Sequence, residues 1–330
     1  MPVQARRAVA LVTSLSLLAG CATPLTREGR IGADDGSDSC RAQLVALDST
    51  GNFFAEDILK GAAIGAVGGA LLGGAIGQNW RGAAIGAATG AVAGAAGGYL
   101  AALQQRNQDQ AGLRASLASD LERENAELDR TQLAFDQLMD CRFRQAQEIR
   151  ASLANGSLDR PTAEARMAQL RERTQREIAL AQTISQNVSK RGAEFDTAVE
   201  SVAPGTTKTT LAARQAPMRQ AQVSREAVLR LRPDPASPEI GKVAARSAVQ
   251  ARPAGGNYAL VETASGQRGY VTTDSFANRR AIGTARVTPT GVSGDARSLA
   301  ASNIARRDNF AESVTQAQSA AATGFELAAS

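Results

Sequence analysis

From residue 61 the sequence reads GAAIGAVGGALLGGAIG, and from residue 82 it reads GAAIGAATGAVAGAAGG. Glycine recurs at every fourth position, as Gly61, Gly65, Gly69, Gly73 and Gly77, then as Gly82, Gly86, Gly90, Gly94 and Gly98. Glycine is a poor helix residue, so its regular return needs a physical reason. On an α-helix this spacing sets each series along one slowly turning face. A face without side chains lets another backbone come close and gain van der Waals contact. Both runs begin GAAIGA and neither carries a charge, which marks a duplicated helical unit. Each run approaches the ~20 residues needed to cross a hydrocarbon core.

Between the runs, Gln78-Asn79-Trp80-Arg81 makes a polar turn with an interfacial tryptophan and an arginine able to snorkel. Phe53, Phe54 and Tyr99 fall near the opposite boundary. The pattern predicts an antiparallel helical hairpin in a membrane, spanning residues 40–103. Alanine and glycine add little to insertion, so each leg is marginal as a spanning segment. An Ala/Gly low-complexity linker and a soluble, tightly packed hairpin are the alternatives.

The chain opens with Arg6 and Arg7 before an apolar run from Ala8 to Leu18, too short to span a bilayer. That run ends in Leu18-Ala19-Gly20-Cys21, which resembles the bacterial lipobox. The resemblance implies a signal peptide over residues 1–20, cleavage before Cys21 and acylation of that cysteine. This covalent lipid would be the only cofactor. Ala22 in place of aspartate implies, by likeness to sorted lipoproteins, an outer-membrane location facing the periplasm. An ordinary signal with a chance cysteine is the alternative. Residues 21–39 are polar and glycine-rich, the composition of a flexible tether. With Cys21 lipidated, Cys40 and Cys141 remain in an oxidising compartment, where an even number favours a disulfide over two buried thiols.

A lipobox followed by paired G-x-x-x-G runs resembles the glycine-zipper two-transmembrane lipoproteins of the rickettsial surface-antigen type. The resemblance implies a structural role in envelope integrity, with helices assembling into a homo-oligomer or around other membrane proteins. It brings no catalytic residues.

The chain contains no histidine, which removes Ser-His-Asp and Cys-His catalysis and histidine metal sites together. None of Lys60, Lys190, Lys208 and Lys242 follows a serine by three positions, and Gly241-Lys242 lacks the rest of a P-loop. No enzyme and no metal are expected. The net charge of +5 suits an anionic neighbour such as lipid headgroups or cell-wall carboxylates, or else reflects a biased genome. No nucleic-acid partner is expected.

Residues 104–200 carry two amphipathic stripes. The first runs through Leu113, Leu117, Leu121, Leu128, Phe135, Met139, Ile149 and Leu153, the second through Met167, Leu170, Ile178, Ala181, Ile184, Val188 and Phe195. Asn155-Gly156 and Asp159-Arg160-Pro161 supply a stop and a start between them. An antiparallel coiled-coil hairpin projecting as an arm on the order of 70 Å is expected, with polar Asn125 and Gln132 on its seam.

After a linker at residues 201–224, the alternation becomes strand-like over residues 225–278. Leu231-Arg232-Pro233, Ile240-Gly241, Tyr258-Ala259-Leu260-Val261 and Gly269-Tyr270-Val271 resemble the bacterial SH3-like domain. Tyrosine, as Tyr258 and Tyr270, replaces tryptophan at both aromatic positions. An unrelated five-strand barrel or a hairpin pair is the alternative. The resemblance implies a face for peptidoglycan stem peptides or a protein partner, lined here by Arg230, Arg232, Arg252, Tyr258, Arg268 and Tyr270. A solvated basic rim is the plain alternative. Residues 279–330 read as a linker and a weakly amphipathic helix of no assigned role.

The expected fold class is thus mainly α, a zipper hairpin and a coiled-coil hairpin, with a small all-β SH3-like barrel. The expected function is a structural outer-membrane lipoprotein that contacts peptidoglycan or an envelope protein. The alternatives are an oligomeric pore or secretion-channel component and a non-catalytic activator of a cell-wall hydrolase.

Overall fold

The computed structural model describes residues 26–55, 98–104, 109–202, 204, 216–283 and 295–327. Cys21 and the expected signal peptide, and the zipper glycines from Gly61 to Gly94, lie outside the described residues; Gly98 is described and buried.

The helices are α1 (Arg27–Ile31), α2 (residues 41–55), α3 (residues 98–104), α4 (Gln110–Ala154), α5 (Arg160–Val202), α6 (Arg279–Ile282) and α7 (Ala296–Thr323). Helix α4 starts where the Asp109 carboxylate accepts the Gly112 N–H at 2.6 Å and satisfies an otherwise orphaned donor. It stops at Asn155-Gly156, where Gly156 takes φ 75°. A short turn returns the chain as α5, antiparallel to α4.

The expected two-helix coiled coil is in fact a larger bundle, because α7 packs into the seam of α4 and α5. Asn125 donates to the Leu299 carbonyl and accepts from Asn303. Phe135 meets Phe310 edge-on at 5.9 Å, and Phe143 stacks on Phe325 at 5.0 Å. These levels run the same way along both helices, so α7 is parallel to α4 and antiparallel to α5. A Cβ at Gly192 of α5 would lie 1.7 Å from the Arg307 guanidinium, so the bare position lets the Arg307 side chain of α7 lie against α5. The polar seam positions reach the third helix: Gln132 donates to Ser313 of α7 and also to Asp136 on its own helix, each at 2.9 Å.

Helix α2 fills the groove between α4 and α5 and runs antiparallel to α4. Cys40 meets Cys141 at one level, and Gly51 packs on Ile184 further along. Helix α3 continues down the same groove, with Leu103 buried among Leu113, Leu117, Val199 and Val202. Together α2 and α3 make one split fourth helix, interrupted by residues 56–97. The N-terminal stretch is folded from residue 26 onward, not a free tether as far as residue 39: Arg30 of α1 grips Asp48, and Asp38 reaches Arg142.

Six antiparallel strands follow: β1 (Arg219–Gln222), β2 (Ala227–Arg230), β3 (Glu239–Val243), β4 (Ala248–Pro253), β5 (Tyr258–Thr263) and β6 (Arg268–Thr272). They order β1-β4-β5-β6-β2-β3. Leu229, Val249, Ala251, Ala259, Val261 and Val271 bury one face. The sheet is open, with β1 and β3 as edges, where a closed barrel was expected. The pairing slips at Leu229/Arg230, and a lone bridge joins Val223 to Phe276. Among the described residues no helix is long and apolar enough to cross a membrane.

Candidate functional site

Both roots of the glycine-rich segment are seated at one place on the bundle. Before the segment, Phe54 is fully buried, and Phe53 lies under the Arg191 guanidinium at 5.0 Å. After it, Tyr99 packs on Phe195 at 4.8 Å, and the same guanidinium lies 5.5 Å from the Phe195 ring. Arg191 is oriented by Glu124 of α4 at 2.7 Å. The Tyr99 hydroxyl donates to Asp120 at 2.8 Å. Burial first, and then the Asp120 carboxylate, raise the Tyr99 pKa well above its usual value. A run of contacts from Phe53 through Arg191 and Phe195 to Tyr99 thus links the last turn of α2 to the first turn of α3.

One end of α2 is clamped. Cys40 and Cys141 form a disulfide with Cα atoms 6.0 Å apart, across a separation of 101 residues. Next to it Arg142, fully buried, donates to Asp38 at 2.7 Å through both terminal nitrogens and to Glu177 at 2.9 Å through Nε. Burial opposes the Arg142 charge, but its two carboxylate partners outweigh that and raise its pKa. Burial pushes Glu177 up despite the Arg142 bond. Asp48, buried in α2, is held by Arg30 at 2.7 and 2.8 Å.

The six sheet residues expected to line a ligand face are placed as follows. Arg252 and Arg268 converge on Glu312 of α7, Arg268 at 3.7 Å and also 3.3 Å from Glu262. Arg232 donates through Nε to Asp140 of α4 at 3.1 Å. Arg230 donates to the Ser237 carbonyl at 2.7 Å. Tyr270 pairs in register with Arg230 and Leu260, and burial, then the Glu312 charge, push its pKa up to about 12. Tyr258 is half-buried opposite Thr272. Further bonds seal this junction: Ser319 accepts the Arg268 N–H at 3.2 Å, and Gln316 donates to the Arg268 carbonyl. Three of the four arginines are therefore turned toward the helices.

Asp136, one turn before Asp140, is pushed up to about 6 by burial, against the pull of Arg232 and a Gln132 bond, with Asp140 adding repulsion. No group of histidine, cysteine or acidic residues poised for a metal occurs among the described residues. Sequence reasoning missed Asp38, Asp48, Glu124, Arg142, Glu177, Arg191 and Glu312. Only Asp38 and Arg142 carried a signal, as neighbours of the paired cysteines.

Residues 40–102 match the YMGG-like Gly-zipper family. The match begins at the disulfide cysteine and ends in α3, so it spans the split helix and what interrupts it. It points to a membrane-associated structural role. No curated protein and no solved structure matches the chain.

Proposed function

We propose that this chain is a structural lipoprotein of the outer membrane, facing the periplasm. Acyl chains on Cys21 and the duplicated glycine runs hold it in lipid, and the runs bring copies together as a homo-oligomer. The bundle is the rigid body from which the runs emerge. The sheet, read as an SH3-like module, contacts peptidoglycan or an envelope protein. Any carboxylate ligand must compete there with Asp140 and Glu312 for Arg232, Arg252 and Arg268.

The observation that carries this reading is the Gly-zipper match over residues 40–102, whose flanks sit together on one stack. Bare helix faces give close packing with little hydrophobic drive of their own, which suits assembly within lipid. Membrane fractionation of wild type beside Cys21→Ala, Gly69→Leu and Gly90→Leu tests it. Cys21→Ala is expected to leave partial membrane retention, and the leucine variants to lose cross-linked oligomers while staying bound. Complete release of Cys21→Ala would make the acyl chains the sole anchor, and unchanged oligomers in the leucine variants would remove the zipper role.

A further inference from the structure

Three places where the chain passes out of the described residues lie on one flank of the bundle. Thr26 leads into α1, which Arg30 fastens to Asp48 of α2. Residue 55 ends α2 and residue 98 begins α3, joined across the Arg191 stack. Beyond Phe54 the groove is already filled by α3, with Leu103 only 1% exposed. Helices α2 and α3 thus follow one another in a single groove, and both ends of the glycine-rich segment sit on this flank. Cys21 precedes Thr26 by five residues, a reach of at most ~18 Å when fully extended. That distance keeps it within reach of the same flank.

The surface of that flank differs from the rest of the bundle. The exposed positions of α2 and α3 are Ala42, Ala46, Ser49, Ala101 and Gln104, all uncharged, whereas α1 exposes Arg27 and Glu28. The acid of α2, Asp48, is turned inward onto Arg30, and Arg27 stands half-exposed beside it. The exposed face of α5 instead carries Glu164, Arg166, Glu172, Arg176 and Lys190.

We propose that the flank formed by α1, α2 and α3 is the lipid-facing surface, so that the bundle lies along the membrane instead of projecting from it. This rests on the reading that Cys21 and the glycine runs are membrane anchors. The occupant is a phospholipid surface: acyl chains, both zipper roots and the uncharged helix face meet it together, and Arg27 pairs with headgroup phosphate. Helix α4, about 70 Å long at 1.5 Å per residue, then runs in the plane of the bilayer.

Trp80 is the single tryptophan of the chain, which allows a direct test. In a Trp80→Phe background, Ala46→Trp or Ala101→Trp reports from the flank, and Ala168→Trp or Ala179→Trp reports from the exposed face of α5. The full-length lipidated chain is added to vesicles of phosphatidylethanolamine and phosphatidylglycerol carrying brominated acyl chains. A flank resting at the headgroup boundary is expected to be quenched at least about twofold more than the α5 reporters. Equal quenching at all four positions, with the protein bound and native Trp80 quenched, would refute the side-on arrangement while leaving the membrane reading intact. No binding and no quenching of Trp80 would remove both. A tryptophan at 46 that is already blue-shifted before vesicles are added and indifferent to bromine would show the flank covered by protein, which also refutes the proposal.

Discussion

The clamp that fastens α2 to the bundle and the seam that fastens the sheet to it both rely on arginine, but in different surroundings. At the clamp, the Arg142 side chain is 1% exposed and is committed to Asp38 and Glu177 beside a covalent bridge. At the seam, Arg232, Arg252 and Arg268 remain 29%, 19% and 23% exposed, and much of the contact is single bonds to backbone carbonyls or hydroxyls. A buried ion cluster is costly to disturb, because removing one member strands the others away from water. Half-exposed pairs are screened and contribute far less. The start of α2, and with it the helix that leads to the glycine runs, is thus held more firmly than the sheet. That is the ordering expected if the membrane end must stay fixed while the sheet adjusts to a partner.

The comparison breaks most readily at the disulfide. Cys40→Ser with Cys141→Ser removes a closure of about one hundred residues, worth up to about 4.7 kcal/mol by loop entropy. Denaturant unfolding of the oxidised chain is expected to shift by roughly that much, and a shift below about 1 kcal/mol would place the holding force elsewhere. Arg142→Ala follows, at about 3–5 kcal/mol, since two carboxylates lose their partner. Replacing Arg142, Asp38 and Glu177 together with apolar residues is expected to recover much of that loss. If it does not, the cluster stabilises by more than satisfying its own charges.

At the seam, Asp136 gives the next effect, and its sign is fixed by its shift. Its folded pKa is raised from 3.8 to about 6, chiefly by burial. Its favourable contribution is therefore present below pH 3.8 and lost as pH rises through 6. Asp136→Asn is expected to stabilise the protein at pH 7 by about 2 kcal/mol and to change little at pH 3.5, read from paired melting curves. A gain that is the same at both pH values would contradict the burial argument. The smallest effect belongs to Glu312→Ala, about 1 kcal/mol or less after solvent screening. It is expected to speed amide hydrogen exchange in β5 and β6 while that of α4 and α5 stays unchanged. Equal acceleration in the helices would mean that sheet and bundle open as one unit.

Periodicity carried much of the helical fold. The leucine stripe predicts α4, and Asn155-Gly156 marks its end to the residue. Helix α7 was visible as a helix but not as a bundle member. Its buried face includes Asn303, Arg307 and Gln316, which blur an apolar stripe until Asn125 and Asp196 are seen opposite them. Strands β2 to β6 followed from alternation, whereas β1 fell in the expected linker at 201–224 and the open sheet was not foreseen, since closure depends on pairing that alternation cannot specify. The destinations of the sheet arginines were illegible. Asp140 lies 92 residues from Arg232 and Glu312 lies 60 from Arg252, and no local pattern links such pairs.

The cysteine bridge encloses the glycine runs, because one cysteine precedes them and the other follows in α4. A protease that cuts once anywhere between residues 56 and 97 would therefore release nothing. The N-terminal fragment and the remainder would migrate as one species until a reductant parts them, so a single cut there leaves both halves of the molecule joined.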